Sequence, residues 1–262
     1  MLPFDGIATP ASTQLFQHKV GSLLYAAIVT RPDIAFAVSR LARHNQNPGP
    51  EHHTAADRVL RHLHGSRFLA LQLGGADDLR VACDASFADN TTDRKSSQGF
   101  AISLFGGLIA WRANKQNTVT TSTTEAELLS LAQGAKEGIF MTHLLRQLSV
   151  RLDYHHFVIE CDNLNTIGLI TKEIATLQTK LRHVNIHEHW LRQEHQAERI
   201  KVIHTSTNAI LADGLTKVLN GDKHQKFIKM LNLVPLQSLI EGRAAHSPAT
   251  EGSGGTHGVG TP

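Results

Sequence analysis

Between Leu79 and Ala85 the chain sets Leu79, Val81 and Cys83 on one side of an extended backbone and Asp84 on the other. That is the two-residue period of a half-buried β-strand. The parity recurs in Phe157, Ile159 and Cys161 against Val158, Glu160 and Asp162. If the two strands are parallel neighbours, Asp84 and Asp162 emerge side by side at their carboxyl ends, the edge where open α/β sheets bind ligands. A carboxylate there is poorly placed for packing and well placed for chemistry. The competing explanation for any single Asp at a strand end is a turn former or helix cap, and Asp162-Asn163 also reads as the cap of the following helix.

Two further acids extend the pattern. Ser122-Thr-Thr-Glu125 is a capping box that opens a helix, which accounts for Glu125 as a structural acid. Glu127, two residues on, cannot share that face. Asp213 falls in the first turns of a short helix, where negative charge is favoured in any case. Taken together, Asp84, Glu127, Asp162 and Asp213 predict one acidic site. Carboxylates in contact repel one another and are tolerated when protonated or metal-bound. Hard oxygen donors select Mg²⁺ or Mn²⁺ over zinc. Two such ions, about 3.5–4 Å apart, can activate a water and stabilise the leaving oxygen of a phosphodiester.

In chain order, residues 1–17 carry Pro3, Gly6 and Pro10 as breakers and predict a weakly structured N-terminus. Residues 18–73 read as a small helical segment: Val20–Val29, a second helix started at Thr30-Arg-Pro-Asp-Ile34 with an apolar stripe to Leu41, and a third from His53 to His64, ended by Gly65. Residues 74–232 change character. Gly99–Leu104 and Leu108–Trp111 predict a hairpin turning at Gly106-Gly107. The capping-box helix follows, with Gly138 as a possible interruption before an apolar stretch to Leu148. Strands at Phe157–Cys161 and Ile200–His204 alternate with helices at Asn163–Ile170, Val184–Gln196 and Ala209–Val218. This order predicts an α/β fold: a mixed five-stranded sheet, three strands antiparallel and two parallel, with helices on both faces. Residues 233–262 lose periodicity to Gly, Ser, Thr, Pro and Ala and predict a disordered tail.

Composition excludes more than it selects. The 262 residues are 41% hydrophobic, enough to bury a sizeable core. Lys+Arg 26 against Asp+Glu 23 gives a net charge of +3, compatible with nucleic acid without demanding it. Two Cys exclude a disulfide framework and point to a reducing compartment; both sit opposite the aspartates in strand parity and read as buried thiols. No apolar run approaches the ~20 residues that span a bilayer, and no signal-peptide core is evident. His183, His187, His189 and His195 include an i,i+4 pair suited to zinc, but among 17 His chance pairs are expected. Arg94, Lys95, Arg112 and Lys115 read equally as a phosphate-binding rim or a solvated face.

Asp84, Thr124-Glu125-Ala126-Glu127, Cys161-Asp162-Asn163 and Ala212-Asp213-Gly214-Leu215-Thr216-Lys217 resemble the motif series of the ribonuclease H domain in copia-type LTR retrotransposon Pol polyproteins. Asp93-Arg94-Lys95-Ser96-Ser97, Trp111-Arg112-Ala113-Asn114-Lys115-Gln116 and Thr179-Lys180-Leu181-Arg182-His183 match the same family. Upstream, Val20-Gly21, Thr30-Arg31-Pro32-Asp33-Ile34 and Pro50-Glu51-His52 resemble the C-terminal end of the preceding reverse transcriptase. The resemblance spans residues 18–232. It implies a two-metal-ion ribonuclease that cleaves the RNA strand of RNA–DNA hybrids, with Asp84, Glu127, Asp162 and Asp213 both catalytic and metal-binding. It adds Lys180 and Arg182 to the nucleic-acid-binding candidates. It also sets His204 near where relatives keep a product-release histidine, although its strand context reads as a core or edge His. The implied partners are the hybrid and upstream reverse transcriptase domains, with no membrane. The expected location is cytoplasmic, or a virus-like particle or the nucleus, and not secreted. The aromatic-x-Asp-Asp polymerase motif is absent, so polymerisation is not expected. The alternative reading is a truncated or decayed, non-catalytic hybrid-binding or assembly module.

Overall fold

The computed structural model describes residues 1–75, 78–152, 155–172 and 181–237. Helices α1 (Pro10–Val29), α2 (Ala35–Ala42) and α3 (Pro50–Gly65) come first, then strand β1 (Leu69–Leu71). They are followed by β2 (Arg80–Ser86), β3 (Ser97–Leu104), β4 (Gly107–Lys115), α4 (Thr123–Gln147) and β5 (Phe157–Cys161). The chain continues through α5 (Leu164–Thr171), α6 (Arg182–Gln196), β6 (Ile200–His204), α7 (Gly221–Met230) and β7 (Leu233–Pro235), with 3-10 turns at Pro32–Ile34 and Leu211–Leu215.

The main sheet has the order β4-β3-β2-β5-β6. β2, β3 and β4 pair antiparallel, while β5 pairs parallel with both β2 and β6. This is the ribonuclease H-like arrangement the sequence implied. Ala82 lies opposite Glu160, so two residues further on Asp84 and Asp162 leave the sheet at the same level. Strand parity then divides the core. Val81, Cys83, Phe100, Ile102 and Ile159 pack under α4, α5 and α6 with Leu128, Leu131 and Leu191. On the other face Ala82, Ala101 and Leu108 meet Ile210, Leu215 and Phe227.

Two glycines let α4 lie close on this sheet. A Cβ at Gly134 would stand 2.3 Å from Cys83 Sγ, and one at Gly138 would stand 2.4 Å from the Phe157 ring. Gly138 therefore does not interrupt the helix, as its sequence context suggested; it is where a strand residue needs room. The hairpin turn also moves. Its two left-handed residues are Phe105 (φ 51°) and Gly106 (φ 71°), because Leu104 pairs with Gly107 and the two-residue type I′ loop needs positive φ at both positions between them.

Residues 10–17 and 221–235 carry more regular structure than expected. Residues 10–17, read as weakly structured, begin α1: Pro10 takes the first helical position, and the Thr9 side chain accepts from the Ser12 N–H. A proline in that place starts a helix instead of breaking it. Residues 221–230 form α7, capped by Asn220, an amphipathic helix of nearly three turns that the sequence did not announce. β7 pairs antiparallel with β1, so the expected tail does not begin at residue 233. The remainder of that tail, 238–262, lies outside the described residues. Among the described residues no helix is long and apolar enough to cross a membrane.

α1–α3 enclose their own core of Phe16, Val20, Leu23, Val38 and Leu41. They are tied to the sheet by polar contacts. Trp111 Nε1 donates to the Ala27 carbonyl at 2.7 Å, and Arg40 pairs with Asp89 at 2.7 Å. The buried Asp33 accepts from Arg31 at 2.9 and 2.7 Å and meets His62 Nε2 at 2.7 Å. Its backbone carbonyl lies 3.2 Å from His224 Nε2 on α7.

Two outcomes are expected. Gly134→Ala should destabilise the protein by about 1–3 kcal/mol through overpacking against Cys83, whereas Gly65→Ala, with nothing within 4 Å of its added Cβ, should be neutral or mildly stabilising; denaturant melts of both check this. The second concerns acid. Burial alone would raise Asp33, but hydrogen bonds from His62 and Arg31 hold its pKa down to about 2 against an ordinary 3.8. A carboxylate lowered on folding contributes stability above its unfolded pKa and loses it as pH falls toward the folded one. Wild type should thus exceed Asp33→Asn by about 2 kcal/mol at neutral pH, and the gap should close between about pH 4 and about pH 2 in chemical melts across that range.

Candidate functional site

Asp84 is the second-last residue but one of β2, and its side chain is 1% exposed. The Ser130 hydroxyl on α4 donates to the Asp84 carbonyl at 2.8 Å, which pins the end of β2 to the helix. The Thr216 hydroxyl donates to Asp84 Oδ2, and Lys217 Nζ lies 3.3 Å from Oδ1. Burial pushes the Asp84 carboxyl up from its ordinary value; Lys217 and Thr216 oppose that rise, while Asp162 and Asp213 add to it.

Glu127 sits in the second turn of α4. The Ser122 side chain accepts from the Glu125 N–H, and Glu125 Oε2 accepts from the Thr121 N–H at 2.6 Å and the Thr121 hydroxyl at 2.8 Å. Glu125 is therefore the structural acid it was expected to be, although it serves Thr121 where a standard capping box serves the cap residue. This anchored N-terminus aims Glu127 at the sheet edge. Its carboxylate accepts from the Ala85 N–H, and its Oε2 is buried without a hydrogen-bond partner. Burial, then repulsion from Asp84 and Asp162, drives its pKa up to about 9.

Asp162 follows β5. Asn163, not Asp162, caps α5 by accepting from the Thr166 N–H at 3.0 Å, which removes the capping explanation for Asp162. Its Oδ2 accepts from the Thr207 hydroxyl at 2.7 Å. Single donor atoms of Glu127, Cys161 and Asp162 lie within 4.8 Å of one another. Burial pushes the Cys161 and Cys83 thiols well above their ordinary range, and both are free.

Asp213 comes from the 3-10 turn. Gly99 lets that turn lie on β3, for a Cβ there would stand 2.7 Å from Leu215 Cβ and 3.1 Å from the Arg112 carbonyl. Asp213 reaches the site through Lys217, whose Nζ is 2.5 Å from Asp213 Oδ1. The four acids are thus brought to one edge by four different elements. Of the three residues that hold them, Thr207 gave no signal in the sequence. Thr216 and Lys217 stood in the motif around Asp213 without a role of their own, and Lys217 stands at i,i+4 from Asp213, the spacing of a helical ion pair.

The basic candidates divide. Arg94, Arg112 and Arg182 are exposed. Lys95 is half-buried, and Lys115 is tied to Asp93 at 2.6 Å. Lys180 lies outside the described residues. Arg112 lines a groove of about 470 Å³ with Asn114, Gln116, Lys136, His183 and His187, so two of the clustered histidines face a polar groove. His187 is lowered by burial, then by Lys136 and His183. Among the described residues no cluster with metal-ligand spacing includes His183, His187, His189 or His195. His204 is exposed at the carboxyl end of the edge strand β6, opposite Cys161.

No family model matches the chain. Individual relatives do. Over 211 residues it is 38% identical to the retrovirus-related Pol polyprotein from transposon TNT 1-94 of Nicotiana tabacum, covering 80% of this chain and 16% of that protein. It is 34% identical over 232 residues to the corresponding polyprotein from transposon RE2 of Arabidopsis thaliana, covering 88% of this chain and 16% of that one. The chain thus spans about a sixth of the length of these relatives. Among solved structures it resembles the foamy viral protease-reverse transcriptase in complex with RNA/DNA hybrid, at a TM-score of 0.44 and 16% identity, covering 82% of this chain and 27% of that one. Along most of its length, the chain's homologues are thus retrovirus-related Pol polyproteins from plant transposons of the copia type.

Proposed function

We propose that this chain is the ribonuclease H part of a retrotransposon Pol polyprotein and hydrolyses the RNA strand of RNA–DNA hybrids with two divalent ions, Mg²⁺ or Mn²⁺. The observation that carries the reading is the acidic edge itself, in which Asp84 and Glu127 are buried and Asp162 and Asp213 half-buried. Four carboxylates converge there, and Glu127 Oε2 has no partner. An unpaired buried acceptor among like charges is a standing destabilisation, and a hard cation is the partner that chemistry supplies. Asp84, Glu127 and Asp162 would hold one ion, and Asp84 with Asp213 the other. When bound, such ions activate a water and neutralise the leaving oxygen.

The chain's own groups orient these ligands. Thr207 holds one oxygen of Asp162, the Ala85 N–H holds Glu127, and Thr216 holds Asp84. Arg112, Arg94 and Arg182 are exposed cations suited to phosphates, with Lys95, Lys115 and Lys180 as further candidates and His204 as a candidate for product release. Preference for a hybrid follows from 2′-hydroxyls and minor-groove shape, which duplex DNA lacks. In this reading residues 18–73 are the end of a reverse transcriptase, the upstream domains are partners, and the chain works in the cytoplasm, a virus-like particle or the nucleus. Polymerisation is not part of the proposal. One observation favours the non-catalytic alternative: Lys217 already supplies a counter-charge to Asp84 and Asp213.

The assay is cleavage of a labelled RNA–DNA hybrid, with double-stranded DNA as control, in Mg²⁺, Mn²⁺ or chelator. Metal-dependent cutting of RNA in the hybrid alone is expected. Asp162→Asn should lower the rate by roughly a hundredfold or more, since a bound ion is worth several kcal/mol to the transition state and each ~1.4 kcal/mol is tenfold. No cutting by wild type in either metal would leave the hybrid-binding module standing. A stability outcome is independent of turnover. In chelator at pH 8, Glu127→Gln should melt higher than wild type, by about 1–3 kcal/mol, because it removes a buried acid from beside Asp84 and Asp162; an unchanged or lower melting temperature would contradict the repulsion.

A further inference from the structure

The acidic edge is neutralised on one side only. Lys217 Nζ lies 2.5 Å from Asp213 Oδ1 and 3.3 Å from Asp84 Oδ1. The neighbouring Thr216 hydroxyl takes the other oxygen of Asp84. Two consecutive residues therefore satisfy a carboxylate that water does not reach. The other side is different. Among the described residues no Lys or Arg forms an ion pair within 4 Å of Glu127 or Asp162, Lys217 acts on Glu127 only from a distance, and Glu127 Oε2 has no hydrogen-bond partner. We propose that the Lys217 ammonium is a built-in counter-ion that competes with divalent metal for the Asp84–Asp213 pair, leaving the Glu127–Asp162 side open to metal first. The inference rests on the metal-dependent reading above.

The geometry suits a group that leaves and returns. The Lys217 side chain is 35% exposed, and an ammonium on a flexible four-carbon stem can move while its backbone stays put. That backbone is fixed: the Lys217 N–H donates to the Asp213 carbonyl at 3.2 Å. Beside the carboxylates lies a groove lined by Lys217 together with Lys223 and Lys226. An ammonium displaced from Asp84 and Asp213 stays next to two other cations, where a backbone phosphate of a nucleic acid would meet all three. Lys217 thus acts as a positioning residue. It keeps Asp84 and Asp213 together without metal, and it raises the concentration of metal needed to fill their side of the site. Coulomb repulsion between a fixed cation and an incoming one at contact distance is large enough near a protein surface to shift affinity by an order of magnitude.

The test uses the full chain and Mg²⁺ alone. Melting temperatures of wild type, Lys217→Gln and Lys217→Arg are followed from chelator through a Mg²⁺ titration. Lys217→Gln should melt lower than wild type in chelator, and its Mg²⁺ midpoint should fall by about tenfold or more. Lys217→Arg, which keeps the charge, should stay near wild type in both respects. A midpoint in Lys217→Gln equal to or above that of wild type overturns the proposal. A second readout needs no variant: amine-reactive labelling of Lys217 in wild type, read by mass spectrometry, should rise along the same Mg²⁺ curve as the melting temperature. Labelling that does not change across the titration overturns the proposal as well. If wild type responds to Mg²⁺ and Lys217→Gln responds identically, this inference falls and the nuclease reading stands. If no protein responds, both fall.

Discussion

The structure is arranged around a repulsion. Asp84 near the end of the central strand, Glu127 from α4 and Asp162 just after β5 are carboxylates brought together at one edge, and burial of Asp84 and Glu127 removes water that would screen their charges. A fold keeps such a group only if something else holds its elements in place. Here the hydrophobic core does so. Leu128 and Leu131 of α4 lock against Val81, Cys83 and Ile159, and the register of β2 with β5 leaves no freedom in where Asp84 and Asp162 emerge. Apolar burial on both faces of the sheet offsets the electrostatic penalty at its edge.

Close approach is the second requirement. α4 reaches Asp84 because Gly134 and Gly138 let its axis come down onto Cys83, Val81 and Phe157. The 3-10 turn carrying Asp213 reaches it because Gly99 removes a side chain from β3. Each glycine answers a particular neighbour, and none of the three has a left-handed backbone. The same closeness that builds the acidic edge also delivers Thr216 and Lys217 to it, so ligands and counter-ion arrive together on one short segment.

The helices in front of the sheet have a separate apolar core, yet they are joined to it through polar groups. Asp33 links Arg31, His62 and, through its backbone, His224 of α7. Trp111 joins β4 to the end of α1. A buried ion pair of this sort contributes little net stability over an apolar contact but is costly to break on one side. It therefore fixes how the pieces are matched more than how strongly they hold.

Much of this was legible in the sequence because it depends on periods. The two-residue alternation of Leu79–Cys83 and Phe157–Cys161 determined the strands and sent Asp84 and Asp162 to the opposite parity, and the Ser122 cap located α4. Glu127 stood out because capping does not explain it, whereas Asp162 and Asp213 each had a local explanation and were joined to Asp84 by the order of elements and the motif series. Elements made by partners were not legible. β1 and β7 are three residues each and exist only because they pair across the length of the chain. Pro10 reads as a breaker until Thr9 is seen to cap α1 in front of it. Gly138 reads as an interruption until Phe157 is packed against it. Lys217 and Thr216 belong to the same class. A sequence lists charges, but which cation lies beside which carboxylate is set by the approach of segments more than a hundred residues apart, and only tertiary packing brings Lys217 to Asp84.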